Sequence, residues 1–296
     1  MNTKAFLLLL LSLLLSSCGV VRFRNSPDYH AGAPVSGTYV PENIIEEHTY
    51  PTSVKGPVAR RMIVYLPAGY HGTEKRYPVF YLLHGARGYE TSWIRRGEVL
   101  QITDSLWRNG LAEECIVVMP NVNQYNDDRD FDDSRYKDCF ESIFEVNGTV
   151  ERGFVDDVVA YVDSHFRTIP AKEARAIAGL SVGGLQSLYI SANNPETFGY
   201  VGLYSPMTRI VQKPGPDNDF YHHRNSKLSS QFADGNEPLG YYIGIGRTDF
   251  FRPHVKLYRN LLDRRGYSYT FTLTDGGHQW YNWNAYYTEM LERVFK

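Results

Sequence analysis

No charge of either sign dominates this sequence. Its 31 lysines and arginines nearly balance 33 aspartates and glutamates, so no strong field would draw in nucleic acid or an acidic membrane surface. No internal repeat or low-complexity block interrupts the chain. Its Gly-rich loop at Gly85 and Gly88 is not followed by Lys-Ser or Lys-Thr, and the dinucleotide glycine spacing is absent, which argues against phosphate cradling. Five aspartates (Asp127, Asp128, Asp130, Asp132 and Asp133) crowd one polar stretch. They lack the Gly and terminal Glu of an EF-hand loop and read as a solvated acidic loop, so neither metal nor cofactor is expected. Of three cysteines, Cys115 and Cys139 have no surroundings that would make a catalytic thiol, and spacing alone leaves open a disulfide or two buried free thiols.

The long apolar run, residues 5–15, is too short to span a bilayer. It follows Lys4 and leads into Leu15-Ser16-Ser17-Cys18, the order of a signal peptide's charged, apolar and small-residue regions. The ending in Cys18 resembles a bacterial lipobox, which implies cleavage before Cys18 and lipidation of its thiol. An ordinary signal peptide or an uncleaved anchor is the alternative. The expected organisation is a lipoprotein signal peptide over 1–17, a Pro- and Gly-rich linker over 18–47, and one large folded domain over 48–296. The protein would then be an exported lipoprotein, periplasm-facing or at the cell surface, touching membrane only through its lipid. The non-acidic Gly19-Val20-Val21-Arg22 leans toward the periplasm. No pattern in the sequence speaks to oligomeric state.

Within the domain, short β-branched or aromatic runs alternate with amphipathic stretches. Strands are predicted over 61–66, 79–83, 116–119, 175–178, 201–204, 241–245 and 269–273. Helices are predicted over 98–108, 155–165, 184–193, 254–264 and 284–294, with Asp156 and Asp157 facing solvent. This alternation predicts an α/β fold, a mostly parallel sheet with helices on both faces. Residues 121–148 form a long polar connection of the kind that carries function or moves.

Ser181 lies in Gly179-Leu180-Ser181-Val182-Gly183, directly after a predicted strand and before a helix. That is the setting of a nucleophile elbow, in which flanking glycines permit a tight turn that projects the serine oxygen. The bland alternative is a Gly-rich turn with an N-capping serine. A serine hydroxyl needs a base to take its proton. His278, in Gly276-Gly277-His278 after the last predicted strand, fits best, and the other histidines sit in blander settings. The carboxylate should fall between them in chain order. Asp249, at the end of a strand and Gly turn, fits best and Asp275 competes. An oxyanion hole needs backbone N–H donors. Val182 is one, and Ala86, or failing it Arg87, from the loop His84-Gly85-Ala86-Arg87-Gly88, is the other.

Tyr81-Leu82-Leu83-His84-Gly85, Trp93, Pro120-Asn121, the Ser181 motif with Gly184, and Gly276-Gly277-His278 with Trp280 and Trp283 occur in one order. Together, over about residues 58–295, they resemble the Putative esterase family of α/β hydrolases. That family holds the feruloyl and acetylxylan esterases of carbohydrate esterase family one, siderophore esterases, S-formylglutathione hydrolases and mycolyltransferases. The resemblance implies an α/β-hydrolase fold with Ser181 as nucleophile, His278 as base, Asp249 as acid, and Ala86 and Val182 as oxyanion donors. Asp249 is the loosest of these matches. Trp93, Trp280 and Trp283 are the expected substrate-binding aromatics. The expected partner is an acylated polysaccharide or oligosaccharide, first as ferulate on arabinoxylan and next as acetate on xylan. A siderophore ester, or a non-catalytic carbohydrate-binding module on the same fold, are the remaining alternatives.

Overall fold

The computed structural model describes residues 43–53, 59–123, 148–208, 231–232 and 235–296, all within the compact unit Tyr39–Lys296. Cys18, Cys139, the acidic run 127–133 and the predicted signal peptide lie outside the described residues.

Eight strands form one sheet: β1 (Ile44–Pro51), β2 (Ala59–Leu66), β3 (Val79–Leu83), β4 (Ile116–Pro120), β5 (Arg175–Leu180), β6 (Tyr200–Tyr204), β7 (Gly240–Gly246) and β8 (Thr270–Thr274). Their order is β1-β2-β4-β3-β5-β6-β7-β8. β1 and β2 pair antiparallel, as do β2 and β4, and every later pairing is parallel. All seven predicted strands are present. Every residue of β3, β4 and β5 is buried, as parallel strands covered on both faces require. In β3 the side chains alternate as a strand's must: Val79, Tyr81 and Leu83 join one core cluster, Phe80 and Leu82 the other. Burying each such side chain contributes roughly 1.5–3 kcal/mol.

β1 corrects the expected domain boundary. Residues 44–47, read as linker, pair with β2 from Ile44↔Leu66 to Glu47↔Ile63. β1 is an edge strand whose residues are half-buried or exposed except at Tyr50. Its Glu46, Glu47 and His48 suit a solvated edge and dilute the apolar signal.

The helices are α1 (Ser92–Arg95), α2 (Val99–Arg108), α3 (Thr149–Gly153), α4 (Ala160–His165), α5 (Val182–Asn193), α6 (Arg252–Arg264) and α7 (Trp280–Leu291), with a π-helical turn over Phe154–Val159 joining α3 to α4. Phe154, Val158, Leu188, Val255 and Leu262 cover one face of the sheet. Leu100, Leu106, Tyr286, Tyr287 and Met290 cover the other. Asp156 is exposed as expected, whereas Asp157 is half-buried and accepts the Ser53 N–H at 2.9 Å. Because β3 to β8 run parallel, the segments that follow them emerge at one edge of the sheet. His84, Asn121, Ser181, Ser205, Asp249 and His278 all follow such strand ends.

Candidate active site

Ser181 stands between β5 and α5 with φ of 55°, a backbone state that costs a non-glycine residue of order 1–3 kcal/mol and persists only where its surroundings impose it. Those surroundings are visible. The Ser181 N–H donates to Tyr204 O at 2.8 Å, and its carbonyl accepts from Leu185 N and Met207 N, each at 3.2 Å. A Cβ on Gly183 would come within 2.2 Å of His84 O, and one on Gly179 within 2.5 Å of the Gly183 carbonyl carbon. Close approach of backbones is therefore why glycine flanks the serine on both sides. The hydroxyl does not cap the helix it precedes, so the N-capping alternative fails.

The segments after β7 and β8 are laced together by Arg247 N to Thr274 O and Thr248 N to Gly276 O, both 2.9 Å. Asn282 Nδ2 holds Gly277 O at 2.8 Å. This lacing brings His278 Nδ1 to 2.9 Å from Asp249 Oδ2. The Asp249 side chain is wholly buried, and its other oxygen accepts the Phe251 N–H at 2.9 Å. With Nδ1–H donated to Asp249, a neutral His278 ring leaves Nε2 free to accept a proton. Asp275, the competing carboxylate, is 93% exposed and pairs with Arg247 at 3.0 Å. No hydrogen bond joins Ser181 to His278 among the described residues, and such bonds are often long until ligand is bound.

The His84–Gly88 loop turns through a Gly88 N to Gly85 O bond of 3.1 Å with Arg87 at φ of 58°. Gly85 packs against the elbow, since a Cβ there would lie 3.3 Å from the Ser181 Cβ. Among the described residues the backbone N–H groups of Ala86 and Val182 have no hydrogen-bond partner. Two open donors therefore flank the serine, one at a helix N-terminus.

The three tryptophans behave differently from one another. Trp93 is 1% exposed and its indole donates to Leu83 O at 3.1 Å, so the structure makes it a core support for the loop after β3 rather than a surface open to ligand. Trp283 is also buried, its ring edge-to-face with His278 at 4.9 Å, and it backs the histidine. Trp280 is half-buried and meets both Trp93 and Trp283 edge-to-face at 5.2 Å. The exposed aromatic beside the histidine is one that no sequence motif singles out. Phe250, 54% exposed, lies 4.5 Å from the His278 ring, and its position directly after Asp249 was the available signal. Cys115 is a buried free thiol, its pKa pushed up by burial.

Likenesses to known proteins agree with this geometry. A "Putative esterase" family model matches residues 57–294. An "Endo-1,4-beta-xylanase/feruloyl esterase" of Xylanibacter ruminicola is 39% identical over 155 residues, 51% of this chain and 20% of that protein, so the match spans about a fifth of this curated relative's length. A CE1 ferulic acid esterase of the anaerobic fungus Anaeromyces mucronatus is 26% identical with a TM-score of 0.69, covering 91% of this chain and 96% of that one. An S-formylglutathione hydrolase of Staphylococcus aureus, at 18% identity and a TM-score of 0.63 over 86% and 98% of the two chains, shares the fold. The elbow at the end of β5, the parallel sheet behind it and the family match across most of its length establish that this chain belongs to the Putative esterase family, carboxylic-ester hydrolases of the α/β-hydrolase fold.

Proposed function

We propose that the protein is a serine carboxylic-ester hydrolase that releases ferulate from acylated plant polysaccharide through an acyl-enzyme on Ser181. The observation that carries the chemistry is the buried Asp249–His278 pair at the same sheet edge as an uncapped, strained serine. Ser181 Oγ attacks the ester carbonyl while its proton passes to His278 Nε2, and Asp249 stabilises the imidazolium. The oxyanion is held by the Ala86 and Val182 N–H groups, each such donor contributing about 3 kcal/mol. Collapse breaks the bond to the sugar oxygen, which takes the proton from His278 and leaves as the hydroxyl. Water, deprotonated by the same Nε2, then attacks the acyl-enzyme and frees the carboxylic acid.

The choice of acyl group rests on the relatives named above and on the exposed Phe250 ring beside His278. Turnover of methyl ferulate and of feruloylated arabinoxylan, each abolished in Ser181→Ala, is the expected result. Acetate released from acetylated xylan without ferulate release would reassign the substrate, and full activity in Ser181→Ala would end the mechanism. The sequence at Cys18 supports export and tethering by lipid. Fractionation of the wild-type and Cys18→Ala proteins tests this, with the variant expected to leave the membrane fraction.

A further inference from the structure

His84 is buried at the sheet edge beside the elbow, yet the reaction above gives it no proton to carry. Both ring nitrogens are engaged. Nδ1 lies 2.8 Å from Gly85 O, a carbonyl, so Nδ1 is the donor. Nε2 receives the Val122 N–H at 3.0 Å and must be the acceptor. The ring is thus neutral in one defined tautomer. Burial agrees with this, depressing its pKa to about 4.

The second bond crosses from the loop after β3 to the segment after β4, and the far end of that bond is itself anchored. Asn121 gives its amide N–H to Glu90 Oε2 at 3.0 Å and accepts from Asn123 N at 3.0 Å. Glu90, 3% exposed, pairs with Arg61 at 2.8 Å. Gln186 of the elbow helix α5 donates to Val122 O at 3.2 Å and to Glu151 at 2.8 Å. On the near side, Gly88 folds over the imidazole so closely that a Cβ would sit 2.6 Å from Nδ1, and Gly183 abuts the His84 carbonyl. The loop bearing the Ala86 N–H and the helix bearing the Val182 N–H therefore meet at one residue: the helix abuts the His84 carbonyl and, through Gln186, holds the Val122 whose N–H the ring accepts.

We infer that His84 is a positioning residue: by accepting the Val122 N–H it fixes the His84–Gly88 loop against the elbow, and so sets the spacing of the Ala86 and Val182 donors for the oxyanion. This rests on the serine-hydrolase reading. The purpose of such a clamp is physical. A donor helps the reaction only if it already points to where the oxyanion forms, and Ala86 sits in a turn with no other bond on its own N–H.

Two substitutions separate the bonds. In His84→Asn the side-chain amide can still reach Gly85 O but is too short for Val122, whereas in His84→Gln an amide oxygen can take the place of Nε2. His84→Asn should lower kcat on methyl ferulate by roughly 100-fold, as weakening an oxyanion donor does, with KM within about three-fold. His84→Gln should recover most of that loss. Affinity for an arylboronic acid, which forms a tetrahedral adduct on Ser181, should fall in step with kcat, while product inhibition by ferulate stays as in wild type. If His84→Asn does not fold, Glu90→Gln, which loosens Asn121 from outside the loop, should show the same pattern with a smaller loss. Wild-type kcat in the folded variants, or equal losses of boronate and ferulate affinity, would overturn the inference. Ser181→Ala assayed in parallel keeps the two readings apart: residual turnover there faults the serine mechanism, whereas a dead Ser181→Ala beside an unaffected His84→Asn faults only the clamp.

Discussion

Two histidines stand at the same edge of the sheet, His84 after β3 and His278 after β8, and they differ in how many ring nitrogens the fold consumes. His84 has both nitrogens bonded, to Gly85 O and Val122 N, and is 4% exposed. His278 has one nitrogen bonded, to Asp249, and is packed among Phe250, Phe251 and Trp283. A ring with both nitrogens committed can hold structure but cannot shuttle a proton. A ring with one committed and one open can do both. Burial alone would rank His84 as the more specialised residue. Counting partners reverses the assignment.

The strongest way to break this contrast is to remove the open nitrogen. His278→Ala should lower kcat by about 10⁴-fold or more, and Asp249→Asn, whose amide oxygen stays on the Phe251 N–H and whose NH₂ then faces Nδ1 and favours the wrong tautomer, by nearly as much. Both should unfold close to the wild-type temperature in a thermal melt. If instead His278→Ala keeps turnover and loses stability, the two histidines have been assigned the wrong way round. The next effect is on stability. His84 binds a proton near 6.5 in the unfolded chain but only near about 4 in the fold. Between those values the unfolded chain holds more protons, so this residue makes stability rise with pH, and the contribution is lost as pH falls from 6.5 toward 4. His84→Gln should flatten that part of a melting-temperature profile. Parallel profiles for variant and wild type would mean the ring is not held neutral. A smaller effect is expected from Phe250→Ala, which strips the exposed ring beside His278. KM for feruloylated arabinoxylan should rise about five-fold, in line with losing one aromatic contact, and kcat should change less.

The sequence made one half of this site more legible than the other. Ser181 was readable because a glycine-flanked serine between a strand and a helix is a local pattern, and the backbone crowding at Gly179 and Gly183 is local too. The parallel strands were readable because each is a continuous apolar run, while β1 was not, since an edge strand needs only Tyr50 buried. In the sequence His84 reads as part of the oxyanion loop, but its bond to Val122 leaves no mark there. Its partner Val122 contributes a backbone N–H, which any residue but proline supplies, and the two are joined only by the pairing of β3 with β4. Trp93 misled for a related reason: an indole N–H spent on Leu83 O looks in sequence like one free for ligand.

The choice between Asp249 and Asp275 is where sequence distance and spatial distance part most sharply. Asp275 lies three residues from His278, yet its side chain is turned to solvent and paired with Arg247. Asp249 is separated from His278 by a whole helix and strand and reaches it because β7 and β8 lie side by side. An exposed pair such as Arg247–Asp275 contributes about 0–1 kcal/mol, too little to orient a histidine behind it. Asp275→Asn should therefore leave kcat within about two-fold of wild type and the melting temperature almost unmoved. A loss of turnover comparable to that of Asp249→Asn would mean that the exposed carboxylate swings in to serve His278 during the reaction. The contrast between one buried, doubly bonded acid and one solvated acid would then have to be abandoned.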